Sequence, residues 1–181
     1  MANQYLSCAE TAKLVRAALR ESFPGVKFSV RSSVYSGGAS ITVGYVNGPT
    51  SAAVKNVVAM FEGAYFDGMT DYQGYNYSSL DGVETSFGAN YIFVNREMTL
   101  DVMQAAVQEA CQYYGLQVPA VKDGYRGAYI ADFMDYNNER RIMDRVAATS
   151  FCETQPSPTL ARVAFLGDDG YGFNSVGRLA A

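Results

Sequence analysis

Between residues 26 and 46, apolar and polar side chains alternate twice around a pair of glycines. Val26, Phe28 and Val30 take turns with Lys27, Ser29 and Arg31, and Ile41, Val43 and Tyr45 with Thr42, Gly44 and Val46. A period of two marks a half-buried strand, and Ser36–Gly37–Gly38 between the runs predicts a hairpin. Upstream the spacing lengthens to that of a helix. Cys8, Thr11, Ala12, Val15, Ala18, Leu19 and Ser22 form one stripe, opened by a Ser7–Glu10 capping box and closed before Pro24. Downstream, Thr50 or Ser51 caps a second helix running to about Glu62, with Val54, Val57, Val58 and Phe61 as its stripe and Gly63 as its stop. A third helix runs from Leu100 to Tyr114, capped by Thr99 and closed by Gly115. Its buried side is read as Leu100, Met103, Val107, Ala110 and Tyr114.

The remaining segments carry weaker patterns. Residues 64–87 are rich in Tyr, Gly, Asp and Ser and read as a long loop holding one or two irregular strands; a loop of that length is either functional or conceals a strand. Val83 to Phe87 and Ala89 to Asn95 read as a second hairpin. Tyr91 and Phe93 lie on one face of its second arm and Ile92 and Val94 on the other, the pattern of a central strand. Residues 1–6 read as an arm or edge segment using Tyr5 and Leu6. Residues 120–150 read as a loop followed by a helix from Asn137 to Thr149, with Tyr129, Phe133 and Met134 as apolar positions ahead of it. Gln155–Pro156–Ser157–Pro158 reads as a linker, Leu160 to Leu166 as a last strand, and Gly167 to Ala181 as a flexible tail. The expected fold is α+β: a mostly antiparallel sheet of about four strands with helices on one face, residues 1–118 as the domain and 119–181 as a C-terminal helical extension.

Three blocks of this sequence carry a family likeness: VKFSVRSSVYSGGASITVGYVNGPT at 26–50, FEGAYFDGMTD at 61–71 and GANYIFVNRE at 88–97. In this order and spacing they resemble the large polyvalent-protein-associated domain numbered 29, over roughly residues 8–118. Such domains occur in multi-domain proteins of phages, prophages and conjugative plasmids. The resemblance implies a role when a mobile element enters a cell, in protecting or handling its nucleic acid or in blunting host defences. It brings no catalytic residues with it.

Composition narrows the chemistry. Apolar residues at 49% and charged residues at 18% predict a folded chain. There is no histidine, which removes Ser-His-Asp, Cys-His and histidine–metal sites. Cys8, Cys111 and Cys152 are three separated cysteines, read as free thiols in a reducing compartment. No run is long and apolar enough for a membrane span, and the expected location is cytoplasmic. Residues 1–60 hold six Lys and Arg against two acidic side chains, while the rest of the chain holds eight against sixteen.

Three constellations remain. Ser36, Gly37, Gly38 and Ser40, with Lys27 and Arg31 nearby, suit an anion or nucleic acid; the plainer reading is a tight turn. Asp67 and Asp71 suit a divalent cation in a metal-dependent enzyme; the plainer reading is turn aspartates, and no metal or cofactor is expected. Tyr65, Tyr72, Tyr75 and Tyr77, four of 14 tyrosines, crowd a stretch in which residues 61–90 contain no Lys or Arg. With Asp67 and Asp71 they are read as a partner-binding surface presenting at least two exposed rings, the alternative being tyrosines packed on a sheet. The expected function is a non-enzymatic interaction protein of a mobile element, acting in counter-defence by blocking a host restriction or CRISPR-type complex. A host protein or protein–nucleic acid complex is then the partner. A homodimer through the tyrosines and direct nucleic-acid binding are the other readings.

Overall fold

A computed structural model describes residues 4–132 and 135–177. The chain begins with β1 (Gln4–Leu6) and α1 (Cys8–Ser22), where Ser7 and Glu10 form the reciprocal capping box. All seven positions of the predicted stripe of α1 are buried. The glycine hairpin forms as β2 (Ser29–Tyr35) and β3 (Gly38–Val46), with Tyr35 opposite Gly38 and Gly37 at φ 93°. Thr50 caps α2 (Ser51–Val58), which tightens into a 3₁₀ turn at Ala59–Phe61. Gly63 is not a left-handed helix stop. A Cβ there would overlap the carbonyl oxygen of Phe87, so the glycine serves a close backbone crossing.

The supposed long loop is a hairpin: β4 (Ala64–Asp67) and β5 (Tyr72–Leu80), antiparallel, with Tyr65 opposite Gly74 and Asp67 opposite Tyr72. Next come β6 (Val83–Phe87) and β7 (Tyr91–Glu97). These two do not pair with each other, contrary to the reading of a second hairpin. β6 pairs antiparallel with β5 and parallel with β1, whereas β7 pairs parallel with β3. The physical reason lies in the link between them. Gly88 donates to the Leu6 carbonyl, Gly63 to Ala89 and Asn90 to Ala39, so the chain is passed from one sheet to another instead of turning back.

The fold class is α+β as expected, but the single, mostly antiparallel sheet is replaced by two mixed ones. One has five strands, ordered β1-β6-β5 and then β10 (Val163–Asp168), with β4 also on β5; the other is β2-β3-β7. β7 is therefore an edge strand, not a central one. Its outer edge meets Glu62, whose carboxylate accepts from the Ile92 amide at 2.7 Å. α1 and α2 pack on the inner face of the smaller sheet, over Val30, Ile41, Val43, Tyr45 and Ile92.

A second core joins α3 (Leu100–Tyr114) and α4 (Tyr136–Ala148) through Met103, Val107, Ala110, Cys111, Ile142 and Val146. Ala106 and Cys111 belong to the buried side of α3, while Leu100 and Tyr114 are only half-buried. Gly115 closes α3 at φ 65°. A small ribbon, β8 (Val121–Lys122) with β9 (Tyr129–Ile130), lies between the two helices in sequence. Phe133 and Met134 lie outside the described residues.

Residues 119–181 come back to the first 118. The expected linker at 155–158 is docked: Gln155 donates to the Ser22 carbonyl, and Glu21 accepts from Ser157 and Thr159. It leads into α5 (Pro158–Ala161), and the expected last strand then forms as β10 along the edge of β5. As far as Gly177 the expected tail is held too, since Asp168 accepts from the amides of Gly170, Val176 and Gly177; residues 178–181 lie outside the described residues. Cys8, Cys111 and Cys152 are free thiols. No helix among the described residues is long and apolar enough to cross a membrane.

Two glycines should differ sharply in their tolerance of alanine. Gly37→Ala forces a side chain onto a left-handed turn position in open space and is expected to cost about 1 kcal/mol. Gly63→Ala must push one backbone away from another and is expected to cost about 3 kcal/mol. Urea denaturation of both variants checks the magnitudes and their order.

Candidate functional site

The β4–β5 hairpin divides the four tyrosines by parity. Residues directly opposite across an antiparallel pair share a face, as do residues two apart along a strand. Tyr65, Gly74, Tyr72 and Asp67 therefore share one face, and Phe66, Tyr75 and Tyr77 the other.

The first face is bolted to the segment after β10. The Tyr65 ring lies across Gly74 and against Gly172, where a side chain at either glycine would overlap it. Its hydroxyl donates to Asp169 Oδ1 at 2.6 Å and accepts from the Gly172 amide at 3.0 Å. The Tyr72 hydroxyl and the Tyr75 amide donate to Asp169 Oδ2 at 2.9 and 3.0 Å. Burial and the Asp169 carboxylate together push the Tyr65 phenol up to about 12. Tyr72 is raised as well, chiefly by its bond to Asp169. Burial works against ionisation of Asp169, but the bonds from the two phenols and from the Tyr75 and Tyr171 amides hold its carboxyl below the ordinary range.

Asp67 is only 8% exposed and accepts from the Met69 and Phe173 amides, which lower its pKa. It anchors the chain instead of facing a partner. Asp71 sits exposed at the turn with φ 52°. Among the described residues, no group of three or more Cys, Asp or Glu is placed to hold a metal ion.

The second face is open. Tyr75 is 58% exposed and Tyr5, from β1, 69%. Together with half-buried Tyr77 they border a depression of about 420 Å³ that includes Asn76 and Asn90 and has no charged residue in its lining. Of the four tyrosines, Tyr75 alone is exposed, so the aromatic surface draws its second exposed ring from Tyr5, in the segment expected as an arm or an edge and found as the edge strand β1. Asp169 was also missed. Its only signal was the Asp168–Asp169–Gly170 run directly after a strand.

The anion constellation comes apart in three dimensions. Ser36 and Gly37 sit at the exposed hairpin tip, and Gly38 is half-buried. Ser40 is buried with its carbonyl accepting from the Cys8 thiol, and the Ala39 amide is taken by Asn90. Lys27 and Arg31 lie elsewhere, in a cleft of about 950 Å³ over the outer face of β2-β3-β7 that also takes in Thr42, Asn95 and Phe151.

A profile of the family described as large polyvalent protein associated domain 29 matches residues 6–99. The chain belongs to this family. No curated protein and no solved structure matches it. The large polyvalent protein associated domain spans all strands from β1 to β7 except the first residues of β1 and ends at Thr99, the N-cap of α3. Lys27, Arg31 and the four tyrosines lie within the match. Tyr5, Phe151 and the Asp169 bolt lie outside it, so both surfaces of the domain are completed by chain beyond the family's own boundaries.

The bolt should be visible in a pH titration. A phenol raised in the folded state contributes stability below its ordinary value of 10.0, and that stability is lost as pH climbs through about 12. Tyrosinate absorbance of the native protein should therefore show a late-ionising phenol near the top of the curve. In Asp169→Asn that phenol should ionise earlier, and alkaline unfolding should begin at lower pH.

Proposed function

We propose that this chain is a non-enzymatic interaction protein of a phage or other mobile element, acting in counter-defence by binding and blocking a host restriction or CRISPR-type complex. The observation that carries the interaction reading is the uncharged depression bordered by exposed Tyr5 and Tyr75. Tyrosine gives a large, stiff contact surface with few rotors to freeze, and it is enriched where proteins meet. Neighbouring Asn76 and Asn90 supply polar groups, although the Asn76 amide already donates to the Glu62 and Ala64 carbonyls. Membership of the large polyvalent protein associated domain 29 family supports the mobile-element setting. The non-enzymatic reading is supported by the carboxylates near the hairpin: Asp67, Asp168 and Asp169 are all engaged by amides or phenols of the chain itself.

Replacing Tyr5 and Tyr75 together with serine is expected to weaken capture of the host complex by about 2 kcal/mol or more. The melting temperature should hardly move, since both rings are exposed. Quantitative pull-down of restriction and CRISPR-type complexes, with sedimentation of the purified protein alongside, checks this. Unchanged capture by the double variant would remove the depression from the interface. A dimer in the parent that dissociates in the variant would assign the surface to self-association.

A further inference from the structure

Among the described residues, no helix packs on the outer face of β2-β3-β7. Its residues stand in rows across the three strands: Arg31, Thr42 and Phe93 in one, Ser29, Gly44 and Asn95 in the next, Ser33, Ser40 and Tyr91 on the other side. Successive rows lie roughly 7 Å apart along the strands. A solvated sheet face is ordinarily polar throughout. Here Phe93 is 52% exposed, and its ring lies beside Tyr91 with centroids 6.4 Å apart. Of the apolar side chains that suggest a central strand, Phe93 is an exposed ring on an edge strand and Tyr91 a half-buried one.

The rest of the face is chemically unspent. Lys27 and Arg31 have no hydrogen-bond or ion-pair partner among the described residues, nor do the side chains of Ser29, Thr42 and Asn95. Gly44 sits at the centre of the floor, and a Cβ there would meet nothing within 4 Å. Two acidic groups adjoin the face: Glu97, paired with Val46 one row beyond Asn95 on the side of Ser29 and Lys27, and Glu62, which lines a neighbouring depression with Phe93 and Asn95.

We propose that this sheet face binds single-stranded nucleic acid. Phe93 and Tyr91 offer ring faces on which unpaired bases stack, Arg31 and Lys27 reach the phosphates, and Thr42 and Asn95 lie within the strip where base edges pass. A duplex keeps its base faces stacked inside and has nothing to offer the rings. Two phosphate contacts on a protein of net charge −4 make a weak and only moderately salt-sensitive site. The logarithm of affinity should fall against the logarithm of salt with a slope of about −1.5. The platform is on a different sheet from the Tyr5–Tyr75 depression, and neither reading depends on the other.

The test is fluorescence anisotropy with labelled oligo(dT), oligo(U) and a duplex of equal length, titrated with the full chain from low to moderate salt. Single strands should bind at least about tenfold more tightly than duplex, and the dT and U arms decide between DNA and RNA. Phe93→Ala and Arg31→Gln should each weaken binding about tenfold. Gly44→Val, which puts a side chain on the open floor, should weaken it similarly while the melting temperature is retained. Lys13→Gln with Arg20→Gln on α1 should change it less than about twofold. The proposal is overturned if no single strand binds at low salt, if duplex binds as well, if Phe93→Ala and Gly44→Val bind as the parent does, or if the α1 variant is the one that abolishes binding.

Discussion

The architecture turns on a backbone crossing too tight for any side chain. At Gly63 the chain leaving α2 passes over the Phe87 carbonyl, and at Gly88 the chain leaving β6 is pressed against Tyr5, Leu6 and Cys8. Both contacts fall within the larger sheet, at the start of the link that hands the chain to the smaller one. From the crossing, Gly63 and Ala64 donate to Ala89 and Asn90, and Asn90 clamps Ala39 through both its amide and its side chain. Each buried backbone group finds a partner on a different element. A Cβ at Gly63 would push the start of β4 off the end of β6, and one at Gly88 would push the link to β7 off β1 and the start of α1.

Elsewhere the chain holds itself together by giving charges to backbone groups more often than to opposite charges. Asp67, Asp168 and Asp169 collect amides and phenols, Glu21 gathers Ser157 and Thr159, and Glu62 stops the edge of β7. Arg96 does the converse. Its guanidinium donates to the carbonyls of Asn47, Gly48, Ala147 and Thr149, and it lies over the Phe151 ring. Two of these carbonyls close the C-terminal end of α4, where a cation is favoured by the helix dipole. A single side chain from β7 thereby ties the second core to the first. Charge-assisted bonds of this kind hold fixed geometry better than exposed ion pairs do.

What could be read from the sequence was local. The capping box and the stripes of α1 and α2 rest on spacings of a few residues and hold, and the glycine hairpin forms as well, although β2 starts only at Ser29 and leaves Val26 and Phe28 ahead of it. The failures were non-local. β5 reads as loop because Gly74, Asn76, Ser78 and Ser79 interrupt its apolar alternation, and it becomes a strand only when β4, β6 and β10 supply its partners. The partner of β7 was misassigned because a parallel pairing leaves no turn to find. The tyrosine cluster failed through parity: Tyr65 and Tyr72 are odd and even, yet the hairpin sets them on one face and turns Tyr75 to the other. Lys27 and Arg31 read as charges beside the glycine turn, whereas the cleft they share with Asn95 and Phe151 exists only after β7 joins β3.

The order of strands in the larger sheet has a consequence for how the protein is made. Its outermost members come from the two ends of the chain: β1 pairs with β6 through Gln4 and Thr85, and β10 pairs with β5 through Val163 and Leu80. A nascent chain that has emerged as far as Thr99 holds every residue of the family match, yet one side of β5 is still an unsatisfied ladder of amides and carbonyls. The sheet can close only once Asp168 has left the ribosome. Closure then carries the loop entropy of two long-range pairings, a topology that folds slowly and leaves a sticky edge in the interval.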